Sequence, residues 1–397
     1  MEHFEILDKV YWVGKVDWEL RKFHGEEYST FKGSTYNSYL IRDNKNILID
    51  TVWAPFAKEF VRSLSNTIEL EKIDCIVMNH GEIDHSGSLP ELLNEIPDVP
   101  LYCTANAVKS LKGHYNRNWN FNIVKTGDRL STGSRELIFI EAPMLHWPDS
   151  MFCYLTETNI LFSNDAFGQH YASESLYNDQ VPQNELWEEC LKYYANILAP
   201  FSPLVKKKIN EFVSMQLPVQ MICPSHGVIW RQDPLQIVKQ YGEWASSYKE
   251  NRITIVYDTM WNATRRIAET IADGILAEDP DVKLKVFNAA RADKTEIIAE
   301  IFRSKAVLVG SSTINKGILS AVGGLLEQIR GLSFKGKKAA SFGSYGWSGE
   351  AQGIINRLLE ASGFDLLPDG PKILWYPYNE DLEKCKLYGK EVASVCK

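Results

Sequence analysis

Two patterns of apolar and polar positions follow one another along the chain. Over residues 1–250, short β-branched or aromatic runs alternate with polar turns. Nine of them read as strands, at 10–17, 36–43, 46–50, 74–80, 99–104, 121–126, 136–143, 151–155 and 220–223. Helical periodicity covers 186–198 and 235–248, after which Lys249-Glu250-Asn251-Arg252 interrupts the apolar pattern. Strands then alternate with helices. Five buried-strand candidates lie at 253–257, 284–287, 306–310, 339–342 and 373–376. Such alternation predicts a doubly wound parallel sheet. Its first helix carries the stripe Ile267, Ala268, Ile271, Ala272, Ile275 and Leu276 from about Thr264 onward. The expected class is therefore α/β, with a strand-rich domain over 1–250 and a doubly wound domain over 251–397.

Composition narrows the setting. With 397 residues, 45% hydrophobic and 24% charged, the chain is long enough for two or three buried cores. A formal charge of −8 argues against a nucleic-acid partner. The opening residues Met1-Glu2-His3-Phe4-Glu5 lack a signal-like pattern, and no apolar run approaches a membrane span. Seven cysteines without a C-x-x-C pair suit a reducing compartment, so the expectation is a cytoplasmic protein away from membranes.

Chemistry concentrates first in His80-Gly81-Glu82-Ile83-Asp84-His85, between the strand at 74–80 and a helix at 89–96. Four potential ligands in six residues cannot comfortably surround one ion, so alternate side chains serving two neighbouring metals fit better. Three more candidates follow apolar runs directly: His146, Asp165 and His226. A single histidine is more often structural than ligating. Here four of the eight histidines fall at strand ends or in one acidic loop, which favours a binuclear site. His3, His114 and His170 read as structural or surface residues. Glu82, Asp84 and Asp165 supply hard oxygen donors, which suit iron or manganese better than zinc.

The second concentration lies at three strand ends of the doubly wound region. Thr259, Met260, Trp261, Asn262, Ala263 and Thr264 lead into a helix, where backbone N–H groups and hydroxyls can cradle a phosphate. Neither a dinucleotide glycine motif nor a triphosphate-binding lysine motif is present there, so a flavin mononucleotide (FMN) phosphate fits better. Ser311, Ser312, Thr313, Ile314 and Asn315, with Ser344, Tyr345, Gly346, Trp347 and Gly349, would flank its ring, Trp347 or Tyr345 stacking on it. Ordinary turns also favour glycine and serine. Three such loops on one sheet outweigh that reading.

The metal loop resembles that of the metallo-β-lactamase-like fold, with Glu82 in place of the motif's second histidine. The strings His146–Met151, Asn164–His170, Tyr193–Ile197 and Ser225–Trp230 extend the likeness to the flavodiiron proteins over essentially the whole chain. That resemblance implies two non-haem irons and FMN. His80, Glu82 and His146 would hold one iron; Asp84, His85 and His226 the other; Asp165 would bridge them. At His85 either the side chain or a water in its place completes a working site. His24 and Tyr194 would stand near the substrate pocket or serve as packing. The segments Tyr102–Ala107 and Asp258–Met260 resemble the nitric-oxide-reducing branch of the family, although the chemistry also permits dioxygen reduction. Members of that branch continue into a rubredoxin module; this chain stops at Lys397, so a separate rubredoxin is the expected donor. A head-to-tail homodimer is expected too, alone or paired as a dimer of dimers. Two rivals remain: a zinc hydrolase with an appended flavin domain, and a non-enzymatic flavin carrier or nitric oxide sensor.

Overall fold

The computed structural model describes residues 4–397, and His3 lies outside them. The chain forms two compact units. One comprises the described residues up to Phe23 with Thr30–Tyr193 and Phe201–Gly242; the other comprises His24–Ser29, Tyr194–Pro200 and Glu243–Lys397. The units thus divide at Gly242/Glu243, ahead of the polar run at 249–252, and two short earlier segments join the second unit. Packing explains the shift. Trp244 lies against Tyr194, and Tyr248 stacks on Phe302 at 5.8 Å, so these two aromatic residues pack within the second unit.

In the first unit, a seven-stranded sheet runs in the order Phe4–Leu7, Val10–Trp12, Tyr39–Arg42, Asn46–Ile49, Cys75–Val77, Leu101–Cys103, Phe121–Ile123. A five-stranded sheet runs Arg129–Ser131, Glu136–Glu141, Met151–Leu155, Ile160–Asn164, Met221–Pro224. The two-residue period of a strand sorts the side chains. Ile47, Ile49, Cys75 and Val77 join Phe139, Cys153, Phe162 and Cys223 in one core between the sheets. Leu48 and Ile76 point the other way, into a core with Phe60, Leu64, Leu92 and Leu111 from the helices. A sheet buried on both faces is why these runs read as continuously apolar. The region 10–17 is not one strand: it breaks at Gly14, where an added Cβ would lie 2.3 Å from the Tyr36 carbonyl oxygen.

The second unit is a parallel sheet in the order Lys283–Asn288, Arg252–Tyr257, Ala306–Ser312, Lys338–Tyr345, Asp365–Leu366. Lys372–Leu374 also pairs with Lys338–Tyr345. The sequential second strand lies outside the first, which creates the switch point where ligands of doubly wound sheets bind. Instead of one strand at 373–376, the edge consists of two short pieces, and Trp375 leaves it at φ 62°. Helix Ala263–Glu278 buries Ile267, Ala268, Ile271, Ala272 and Ile275 on the sheet. Leu276 stays 43% exposed, so the stripe is narrower than its sequence periodicity suggests. The helical pattern at 186–198 resolves into helix Gln183–Tyr193 and a wider π-helical turn, Tyr194–Leu198. Among the described residues, no helix is long and apolar enough to cross a membrane.

Candidate metal centre and flavin loops

Strand ends deliver the metal-site residues. Cys75–Val77 stops short of His80; Glu82 precedes the one-turn helix Ile83–Ser86, which carries Asp84 and His85. The Thr51 hydroxyl donates to the His85 carbonyl at 2.6 Å and its backbone N–H at 2.9 Å, while the Ser86 hydroxyl donates to the Gly81 and Glu82 carbonyls. These bonds pin a helix too short to stand alone. Asp165 and His226 follow two parallel neighbouring strands, linked just beyond their ends by the Ser225 N–H donating to the Asn164 carbonyl at 2.8 Å. His146 sits on the loop between Glu136–Glu141 and Met151–Leu155, several residues past its strand.

The side chains converge in two sets. His80 Nε2 lies 3.2 Å from Glu82 Oε2 and 3.6 Å from Asp165 Oδ2, and His146 Nε2 lies 3.5 Å from each of those oxygens. On the other side, His85 Nε2 lies 3.4 Å from Asp84 Oδ2 and 3.1 Å from Asp165 Oδ1. His226 Nε2 lies 3.0 Å from Asp84 Oδ2 and 3.5 Å from Asp165 Oδ1. One carboxylate therefore presents a different oxygen to each set. Asp84 Oδ1, His85 Nε2 and Asp165 Oδ2 are buried without a hydrogen-bond partner among the described residues. Buried polar atoms so placed call for a cation, and the imidazole–carboxylate donor set fits a pair of divalent irons.

Electrostatics agree with that fit. Burial opposes charge on His85, but Asp84 and Asp165 overcome it and raise its pKa to about 9. Burial likewise opposes charge on His80, yet hydrogen bonds to Asp149 and Glu82 hold its pKa well above the ordinary value. Asp165 is pulled well below the usual carboxylate range by His85, His80 and His146, against its own desolvation. Protons and metal ions compete for the same ring nitrogens in such a cluster.

Several neighbours escaped sequence reasoning. Asp149 accepts from His80 Nδ1 at 2.9 Å, and the Thr35 carbonyl faces His226 Nδ1 at 2.6 Å. Asp50 accepts from the Asn79 backbone N–H at 2.8 Å; burial raises its pKa to about 6, against the charge of His85. Tyr193 has its ring 5.1 Å from that of His170 and 6.5 Å from that of His226, and burial keeps its phenol protonated. Tyr194 instead packs on Trp244 and Phe302 in the second unit, at 5.3 and 5.5 Å. Successive helical residues point about 100° apart, so a Tyr-Tyr doublet does not reveal which member faces the site. His24 is exposed, at φ 51°, in the segment His24–Ser29. His170 is buried beside His226, with Nδ1 2.8 Å from the Ser34 hydroxyl, whereas His114 is exposed near Trp147.

The second unit brings its three loops together. Thr264 Oγ1 lies 2.9 Å from both Ser312 Oγ and Ser344 Oγ, and the latter two are 3.2 Å apart. Thr264 stands in the first turn of Ala263–Glu278, preceded by Asn262 at φ 65°. Thr259 Oγ1 is buried without a partner among the described residues, as a phosphate-binding hydroxyl would be. Met260 and Trp261 are exposed. Ser311 is occupied structurally, donating to the Ser312 carbonyl and accepting from the Leu319 N–H. The Thr313 N–H donates to the Ser344 carbonyl, and Ile314 and Gly317 close a tight turn around Asn315 at φ 47°. Tyr345 carries Lys372 Nζ 5.1 Å above its ring, and Gly346 abuts Trp375. Gly349 has φ 74°, and Trp347 is 83% exposed. Trp375, absent from the sequence-derived set, has its ring 6.4 Å from that of Trp347. Hydroxyls at a helix N-terminus with exposed indoles nearby fit a flavin phosphate and ring.

Known proteins resemble this chain in sequence and fold. A family described as ODP family beta lactamase matches residues 35–227, and flavodoxin matches 255–389. Anaerobic nitric oxide reductase flavorubredoxin of Escherichia coli O1:K1 / APEC is 55% identical over 390 residues, covering 98% of this chain and 81% of that protein. Rubredoxin oxygen:oxidoreductase from Desulfovibrio gigas superposes with a TM-score of 0.96 at 36% identity, covering 100% of this chain and 98% of that one. The flavodiiron protein from Giardia intestinalis gives 0.94 at 34% identity, covering 100% and 97%.

Proposed function

Since the chain belongs to the flavodiiron protein family, we propose that it reduces nitric oxide to nitrous oxide, and dioxygen to water, with electrons passed from rubredoxin through FMN. Asp165 is the observation that carries this reading, because its two oxygens face two separate His-and-carboxylate sets. In this reading His80, Glu82 and His146 hold one iron, Asp84, His85 and His226 hold the other, and Asp165 bridges them. The bound irons and flavin together supply the electrons for reducing a diatomic substrate. Glu82 supplies a hard anionic donor that favours iron over zinc, which disfavours the hydrolase alternative. Tyr193 keeps its proton and so offers a phenolic donor close to His226.

FMN binding falls to Thr259, Met260, Trp261, Asn262, Ala263 and Thr264 around the phosphate. Ser311–Asn315, Ser344–Trp347 and Gly349 flank the ring. Backbone N–H groups at the start of Ala263–Glu278 favour the phosphate's negative charge. The working assembly is a head-to-tail homodimer, fed by rubredoxin. Seven free, buried cysteines accord with a cytoplasmic setting.

Anaerobic turnover of nitric oxide with reduced rubredoxin, set beside turnover of dioxygen alone, tests the substrate. We expect nitric oxide to be preferred by at least tenfold, about 1.4 kcal/mol in transition-state terms. A preference of that size for dioxygen would reassign the physiological oxidant, and turnover of neither would overturn the reading.

A further inference from the structure

We infer that Asp149 is a positioning residue for the iron bound at His80, and that it makes the two iron positions unequal in affinity and electronic character. The inference rests on the assignment of His80 as an iron ligand.

Asp149 is fully buried, and both of its carboxylate oxygens are committed to the ligand loop. Oδ1 accepts from His80 Nδ1 at 2.9 Å, and Oδ2 accepts from the Gly81 N–H at 3.0 Å. Its own carbonyl accepts from the Thr104 hydroxyl at 3.0 Å, and that hydroxyl also caps helix Ala105–Tyr115 by accepting from the Ala107 N–H. The carboxylate is thus anchored from behind. Space for this grip depends on the absence of a side chain at residue 81. A Cβ there would lie 2.8 Å from Asp149 Oδ2 and 2.9 Å from Ser110 Cβ.

With Nδ1 donating to a carboxylate, the His80 ring is fixed in the tautomer whose Nε2 lone pair faces Glu82 and Asp165. A carboxylate behind an imidazole also raises its basicity, which strengthens its bond to a metal. The opposite set has no equal device at His226. That ring is oriented just as firmly, but by a neutral partner, the Thr35 carbonyl 2.6 Å from Nδ1. Asp50, the other buried carboxylate close by, directs Oδ1 to the Asn79 N–H and Oδ2 to the Asn79 amide, at 2.8 and 3.2 Å. His80 and His226 are therefore held alike in ring placement and differ in the charge directly behind the ring, a carboxylate at the first and a neutral carbonyl at the second, while the Asp50 carboxylate near His85 makes its hydrogen bonds to Asn79.

The test compares the iron- and FMN-loaded wild-type chain with Asp149→Asn, which keeps the shape of the side chain and removes its charge. Iron affinity is read by chelator competition, and electronic character by the electron paramagnetic resonance signal of the half-reduced, mixed-valent form. We expect one of the two irons to weaken by about ten- to a hundredfold, the other to keep its affinity, the mixed-valent signal to shift, and FMN content to stay at the wild-type level. Gly81→Ala should reproduce the selective loss by crowding Oδ2, with every ligand and Asp149 itself retained, and it serves if Asp149→Asn does not fold. Two irons held at wild-type affinity with an unaltered signal in the folded variant would overturn the role of Asp149. A wild-type chain that binds no iron would instead overturn the ligand assignment beneath it.

Discussion

Oδ1 of Asp165 lies 3.1 Å from Nε2 of His85, while the second oxygen of the same carboxylate faces His80 and His146. His85 thus points into the cluster with the other ligand candidates. Because Asp165 serves both sets, Asp165→Ala should lower affinity at both iron positions together. We expect turnover to fall by about a hundredfold or more. Iron analysis of the purified variant checks this, and selective loss of a single iron would contradict a bridging role.

Under the proposed ligand set, Glu82 favours iron over zinc. Replacing its hard oxygen with an imidazole, as in Glu82→His, should shift occupancy from iron toward zinc when both are supplied equally. Elemental analysis of the protein reads the ratio directly. An unchanged ratio would mean that Asp84 and Asp165 suffice to select iron.

The hydroxyls of Thr264, Ser312 and Ser344 meet within 3.2 Å of one another, from a helix start and two strand ends. Thr264→Val removes the hydroxyl at the helix start while keeping the branched shape. FMN should then bind about tenfold more weakly, in line with a lost hydrogen bond of about 1.5 kcal/mol to a charged group. Quenching of flavin fluorescence on titration measures it, and unaltered affinity would place the phosphate elsewhere.

Helices Ala263–Glu278 and Asn379–Val395 cross closely through two glycines. A Cβ on Gly274 would lie 2.1 Å from the Lys386 carbonyl oxygen, and one on Gly389 would lie 2.2 Å from that of Ile271. Gly274→Ala should therefore destabilise the second unit by about 2 kcal/mol, even though alanine favours helices. Denaturant unfolding followed by flavin release reads the change; an equal or higher midpoint would show that the helices can move apart freely.

Lys337 is buried with Nζ donating to the carbonyls of Tyr248, Phe302 and Ser304. Burial lowers its pKa to about 7, with Lys249 adding to the effect and Glu250 opposing it. In the unfolded chain the amine keeps the ordinary value of 10.5. Between those values the unfolded chain holds a proton that the folded chain has released, so this group's contribution to stability rises with pH from about 7 to 10.5 and is least below 7. Lys337→Met should remove a slope of up to about 1.4 kcal/mol per pH unit. Unfolding free energies of both chains at pH 7 and pH 9 supply the comparison. Parallel changes in the two would exclude the effect.

Much of this site was legible in the sequence because its residues are local in sequence or mark strand ends. His80 to His85 are six consecutive residues, Asp165 and His226 closely follow strands, and His146 follows an apolar run although it lies on a loop past its strand. The helix stripe from Ile267 to Ile275 and the run of parallel strands likewise carry their periodicities on their face. Less legible were features that depend on phase or on distant backbone. Tyr193 and Tyr194 are adjacent, yet the first lies beside the histidine rings and the second beside Trp244 and Phe302.

Sequence alone thus determined the class of fold, the two kinds of chemistry and a set of candidate residues for each, since hydrophobic period and donor type are properties of single residues and their spacing. Tertiary structure decided how those residues are shared and supported. Asp165 faces two sets because two parallel strands end side by side, and Asp149 reaches His80 from a hairpin loop 69 residues away. Such pairings depend on strand register and side-chain direction, which chain spacing does not encode.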